Sequence, residues 1–218
     1  MNARLLGGGD KLGHARVALI LLALCPCTAV PVSAGPGDYI ARRFDVVARP
    51  VNGSLDVTET ITFEFQSGTF RKVWREIPAT RTDGIDVIGA AIDGSPATLG
   101  DGPGHITISG RTHTRVEWQF VPVGLSVHVF TLHYVARGVV YRDGPWDVLR
   151  WRALPAEHRY AIDASRVQVE SGSIHDTPLE THRVDHASVA TTSTGVDIEA
   201  SGIHSNGWLI ADLRYPAG

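Results

Sequence analysis

The sequence is short of several things that carry chemistry. It has two cysteines, Cys25 and Cys27, one methionine, and two lysines, Lys11 and Lys72, in 218 residues. Both cysteines and Lys11 fall in a leader-like N-terminus. Arg4, Lys11 and Arg16 form a basic region there, and Val17–Leu24 an apolar run. Val32-Ser33-Ala34 places small residues at the −3 and −1 positions of a cleavage site. The apolar run is shorter than the roughly 20 residues a membrane helix needs. We therefore expect residues 1–34 to be a signal peptide and residues 35–218 a single exported domain, periplasmic or extracellular. A lipoprotein reading would use Cys25, but Leu24 stands where such signals carry a small residue.

Each absence excludes a class. Without its leader the chain has no thiol nucleophile, no disulfide and no thiolate ligand, so stability must come from the core. About 17 basic and about 22 acidic residues remain of the chain's 20 and 23, a net charge of about −5, and no basic run. That excludes nucleic acid as a partner. No second apolar stretch long enough to span a bilayer follows. Nor is there sustained helical periodicity with caps, an internal repeat or a low-complexity linker.

What is present is strand. Short alternating segments separated by Gly, Asn and Asp turns predict an all-β fold, an antiparallel β-sandwich immunoglobulin-like in general architecture. The strongest segment is Leu55–Phe65. Leu55, Val57, Ile61, Phe63 and Phe65 share one face, and Asp56, Thr58, Thr60, Thr62 and Glu64 the other. Asn52-Gly53 predicts a tight hairpin with Asp38–Arg49 before it. After Gln66-Ser67-Gly68 a return segment runs to Pro78, with Val73, Arg75 and Ile77 on one face and Phe70, Lys72, Trp74 and Glu76 on the other. Ser126–Tyr141 is apolar on both faces, which suits a strand covered on both sides or one that changes sheets at Gly138. Val196–Ala200 and Trp208–Tyr215 read as two strands divided by Ser205-Asn206-Gly207.

Two charges break this pattern. Glu59 is in phase with the apolar set of its strand, and Arg75 with Val73 and Ile77. Buried charges must pair and hydrogen-bond, or desolvation costs several kcal/mol, roughly. Glu59 and Arg75 are therefore expected to form a structural ion pair between two sheets, with Arg71 as a further partner. An arginine fork suits a carboxylate in two bonds.

Other chemistry finds less support. His182 and His186 have i, i+4 spacing, but in an extended segment they stand about 13 Å apart, too far for one zinc. His128 and His133 fall on opposite faces. No metal site and no cofactor are expected. No G-x-S-x-G or S-x-x-K occurs, so no catalytic residue is assigned. Two routes to a hydrolase stay open: a Ser–His–Asp set assembled in space from scattered residues, and a carboxylate pair among Glu59, Glu64 and Glu76, of which Glu59 and Glu64 point to opposite faces. Trp118 shares a face with Val116 and Phe120 and belongs to the core, whereas Trp74, Trp146, Trp151 and Trp208 lie near turns or segment ends. There they can cap the sandwich or bind a sugar or a protein.

Several stretches in order carry a resemblance: YIARRFDV at 39–46, NGSLDVTETITF at 52–63, WREIP at 74–78, HVFTLHYVARGVV at 128–140 and LRW at 149–151. Together they resemble the N-terminal extracytoplasmic module of the bacterial predicted-membrane-protein family, domain of unknown function 2207, over roughly residues 38–170 and again at 208–218. The resemblance implies an exported β-sandwich without an assigned activity. The expected function is non-catalytic protein binding, with an unidentified cell-envelope protein or glycan as partner. A carbohydrate- or peptidoglycan-binding module is the alternative, and a hydrolase near Glu59 and Arg75 the third.

Overall fold

A computed structural model describes residues 38–217 except 155 and 157, all within one compact unit spanning Ala34–Gly218. The expected signal peptide lies outside the described residues. Among the described residues there is no helix, hence none long and apolar enough to cross a membrane.

The first hairpin sets the frame. β1 (Tyr39–Val51) turns through Asn52 (φ 49°) and Gly53 (φ 80°) into β2 (Ser54–Phe65), with Val51 opposite Ser54. Two successive positive φ angles match the twist of the flanking strands, and Asn-Gly tolerates them. Along β2 every second side chain is buried: Leu55, Val57, Glu59, Ile61, Phe63 and Phe65. Burying the five apolar ones contributes about 8–15 kcal/mol at roughly 1.5–3 kcal/mol each. That exceeds the several kcal/mol, roughly, of desolvating an ion pair in their midst.

After Gly68 (φ 82°) the chain leaves this layer. β3 (Phe70–Pro78) pairs not with β2 but with β8 (His113–Val123), in a four-stranded sheet ordered β3-β8-β7-β6, where β6 is Thr98–Leu99 and β7 is His105–Ser109. The other sheet has ten strands. Its path runs from β10 (Val140–Asp143) and β11 (Trp146–Leu154) through β14 (Val196–Pro216), β12 (Ile162–Val169), β1, β2 and β9 (Ser126–Arg137) to β4 (Gly84–Ile92) and β5 (Ser95–Pro96). β13 (Leu179–Thr191) joins β14 off that path. The two sheets enclose one core, where Phe65 stacks on Phe70 at 4.2 Å and Trp118 meets Phe130 edge-on at 5.8 Å. This is the predicted all-β, mostly antiparallel sandwich, with parallel pairing at β1–β12 and β6–β7.

Four local expectations are corrected. Phe70 faces the core rather than lying outward with Lys72 and Trp74, because a bulge between Phe70 and Lys72 shifts the phase. β9 is central within its sheet but covered on one face only: Phe130, Leu132, Tyr134 and Ala136 are buried while Val127 is exposed. The chain does break at Gly138 (φ 65°), yet the next strand, β10, lies in the same sheet at its far edge. The two C-terminal segments form one strand, β14, which absorbs Gly202 (φ 64°) and Asn206 (φ 59°) as irregularities instead of turning.

A sealed carboxylate–guanidinium cluster as the candidate site

The two in-phase charges meet between the sheets. Glu59 on β2 is 0% exposed and Arg75 on β3 is 5% exposed. Arg75 Nε donates to Glu59 Oε2 at 2.7 Å and Nη2 to Oε1 at 2.9 Å, a two-bond fork. Nη1 donates to the carbonyl oxygen of Glu76. The Tyr134 hydroxyl on β9 donates to Glu59 Oε1 at 3.0 Å. The guanidinium also lies 5.9 Å from the Phe44 ring centroid, within cation–π range.

Electrostatics follow from burial and pairing. Burial works against charge on Arg75, but the Glu59 carboxylate outweighs it and holds the guanidinium above the ordinary arginine value. Burial, reinforced by Glu59 and opposed by Arg75, pushes the Tyr134 phenol well above its usual range. Burial likewise raises Tyr160, with Arg75 opposing.

Arg71 takes no part: it lies where the β3–β8 register shifts, between Phe70 opposite Val123 and Lys72 opposite Gln119, and is exposed. Its place is filled by Tyr134, which the sequence reading missed. Tyr134 sits opposite Val57, diagonal to Glu59, which faces Leu132, so its phenol reaches across the register. The available signal was only that Tyr134 shares a face with Leu132 and Phe130.

The carboxylates do not converge. Glu64 is on the outer face, paired with Arg42 at 2.6 Å, and Glu76 is on the outer side of β3, 3.5 Å from Arg115. A concavity of about 350 Å³ opens between Arg43, Ser165, Arg166, His186, Glu199 and Ser201, and neither Glu59, Arg75 nor Tyr134 lines it.

The histidines are spread likewise. His128 faces Phe65 and Phe120 on the inner side and engages Asp93 through Nδ1 at 2.7 Å, while His133 contacts Asp56 on the outer side. Asp93 also accepts the Val129 N–H at 2.8 Å. Burial alone would raise its carboxyl, but that backbone donor and His128 hold it below the ordinary aspartate value. His182 stacks on Trp208, and an irregularity at Arg183 (φ 55°) separates it from His186. Among the described residues no three potential ligands gather around a metal position.

The tryptophans form no common platform. Trp118 is buried in the core, and Trp151 packs partly against it. Trp146 stacks on His175 at 4.4 Å, and Trp208 lies eight residues along β14 from Trp146's partner Pro216, about 26 Å away. Trp74 is 47% exposed on the outer face of the small sheet, with Arg115 4.4 Å above its ring.

Fold and site define an all-β two-sheet domain closed around an internal ion cluster. The chain belongs to the family described as "Predicted membrane protein (DUF2207) N-terminal domain", which it matches over residues 41–211. No curated protein matches it. Among solved structures it is similar to a putative protease from Parabacteroides distasonis (8% identity, TM-score 0.49, 82% of this chain and 40% of that one). It is also similar to a mutant M1 zinc metallopeptidase from Deinococcus radiodurans (10% identity, TM-score 0.46, 81% of this chain and 43% of that one). The chain thus spans about two fifths of each, and a likeness at this level carries nothing about chemistry here.

Proposed function

We propose that this chain works outside the cytoplasm as a non-catalytic domain that binds a protein of the cell envelope. The observation that supports it most is the closure of Glu59. The carboxylate that stands out in the sequence accepts two bonds from Arg75 and one from Tyr134, and has no exposure through which a substrate could reach it. A general acid or base must come within hydrogen-bond reach of substrate. Glu59 acts on the fold instead, fastening the small sheet to the large one.

Envelope preparations with and without protease shaving separate the readings. Saturable binding of the exported chain that disappears after protease treatment fits a protein partner; absence of any saturable binding contradicts it. A glycan reading draws on Trp74 alone, the half-exposed indole on an open sheet face. Under that reading binding survives protease, and added oligosaccharide shifts the tryptophan emission. Turnover of generic hydrolase substrates by the wild type that Glu59→Gln abolishes would support the hydrolase instead.

A further inference from the structure

Edge strands expose unpaired backbone groups, and proteins blunt them with short length, bulges, proline or charge. Most edges here are blunted. β5 and β6 are two residues long, and β10 is four, with Arg142 and Asp143 tied to Asp147 and Arg214. β3 shifts register against β8 between Phe70 and Lys72, carries Lys72 and ends in Pro78.

β13 differs. It pairs with β14 on one side, and its other edge has no strand partner among the described residues. Beyond the irregularity at Arg183, Val184–Thr191 (VDHASVAT) contains no proline, lysine or arginine. Its one formal charge, Asp185, is held by His204 at 2.9 Å.

The hydrogen-bond phase shows what this edge offers. Thr192 donates its N–H to Gly195 across the β13–β14 turn, and pairs in an antiparallel ladder alternate from there. Thr191, Val189 and Ala187, opposite Val196, Ile198 and Ala200, therefore turn their N–H and C=O groups away from β14. Their side chains share a face with those buried residues, yet Val189 is 37% exposed.

We propose that β13 pairs with β13 of a second copy of this chain, antiparallel about a two-fold axis at Val189. The segment is complementary to itself. That register sets Val189 opposite Val189 of the second copy and Ala187 opposite its Thr191, and it opposes no like charges. Three such pairs exchange about six backbone hydrogen bonds. A two-fold axis perpendicular to the sheet keeps the inner face inner, so the half-exposed Val189 side chains cover each other. This inference does not depend on the envelope partner proposed above.

The test is sedimentation velocity on the exported chain over a broad concentration range, for the wild type, Val189→Pro and Val189→Lys. Proline at 189 removes a donor from the free edge and none from the β14 ladder, and lysine places charge against charge across the axis. We expect reversible dimerisation of the wild type, weakened at least about tenfold in both variants while they still melt cooperatively. Amide exchange on the wild type provides a readout without mutation. Ala187, Val189 and Thr191 should gain protection as concentration rises, whereas Ser188 and Ala190, already bonded to β14, should not change. A monomer at every concentration with unchanged exchange at those three amides, or a dimer indifferent to both substitutions, overturns the proposal.

Discussion

The Tyr134 hydroxyl and Arg75 Nη2 converge on one oxygen, Oε1 of Glu59, at 3.0 and 2.9 Å. A phenol from the neighbouring strand and a guanidinium from the opposite sheet thus complete a carboxylate that water does not reach. Removing the phenol alone tests its share. Tyr134→Phe preserves the ring and deletes the donor, and it is expected to cost about 1.5–3 kcal/mol, the range for a hydrogen bond to a charged group. Equilibrium denaturation with an unchanged slope gives the value, and no loss of stability would remove Tyr134 from the cluster.

The alkaline limb of stability should be tyrosine-dependent. Four of the five tyrosines, Tyr39, Tyr134, Tyr160 and Tyr215, are raised above 10.0, burial being the first cause in each, and Tyr215 is pushed up to about 12. A raised phenol favours the folded state fully below the unfolded value near 10, and the advantage is lost as pH rises through the folded values. Phenolate absorbance should therefore appear mainly together with loss of the β-sheet circular dichroism signal. Ionisation of all five at pH 10 with the fold intact would contradict this.

The β13–β14 turn should tolerate no side chain at Gly195. Its φ of 150° lies where only glycine is at ease, and a Cβ there would run into the carbonyl oxygen of Val169. Gly195→Ala is expected to cost more than about 1 kcal/mol, the scale of incompatible backbone substitutions. At Gly94, where a Cβ meets open space at φ 79°, the same change should cost less. Thermal melts of the two variants side by side decide the order.

The acid limb has a local marker. The Asp93 carboxyl is held down by the Val129 N–H and His128, against burial, so its contribution is present above the unfolded value of 3.8 and lost as pH falls through the lower folded one. Asp93→Asn should lower stability at neutral pH and flatten its decline below about pH 4. A parallel acid limb in wild type and variant would show that Asp93 does not titrate with folding.

The pairing of Glu59 with Arg75 was legible because two facts are local: each is in phase with the apolar face of its own strand, and burial leaves a charge no cheap alternative to a partner. Arg71 shows the limit of that logic. By strict alternation it also faces the core, and a single bulge, which depends on how β3 meets β8, turns it out. Tyr134 was hidden for a different reason: its placement requires the β2–β9 register, set by strands 75 residues apart in sequence. The single β14 strand was misread because Gly202 and Asn206 supply positive φ, which serves a bulge as well as a turn. The apolar outer positions of β9 did not imply a covering layer, since Val127 stays exposed.

The most direct test of the central claim, that Glu59 and Arg75 fasten the sheets, is a double-mutant cycle read by equilibrium denaturation. Glu59→Ala alone is expected to cost about 3–5 kcal/mol, because it leaves a buried guanidinium unpaired, whereas Glu59→Leu combined with Arg75→Met should come out close to neutral. A Glu59→Ala protein as stable as the wild type, or a double variant whose loss equals the sum of the losses of Glu59→Leu and Arg75→Met made singly, would contradict that claim.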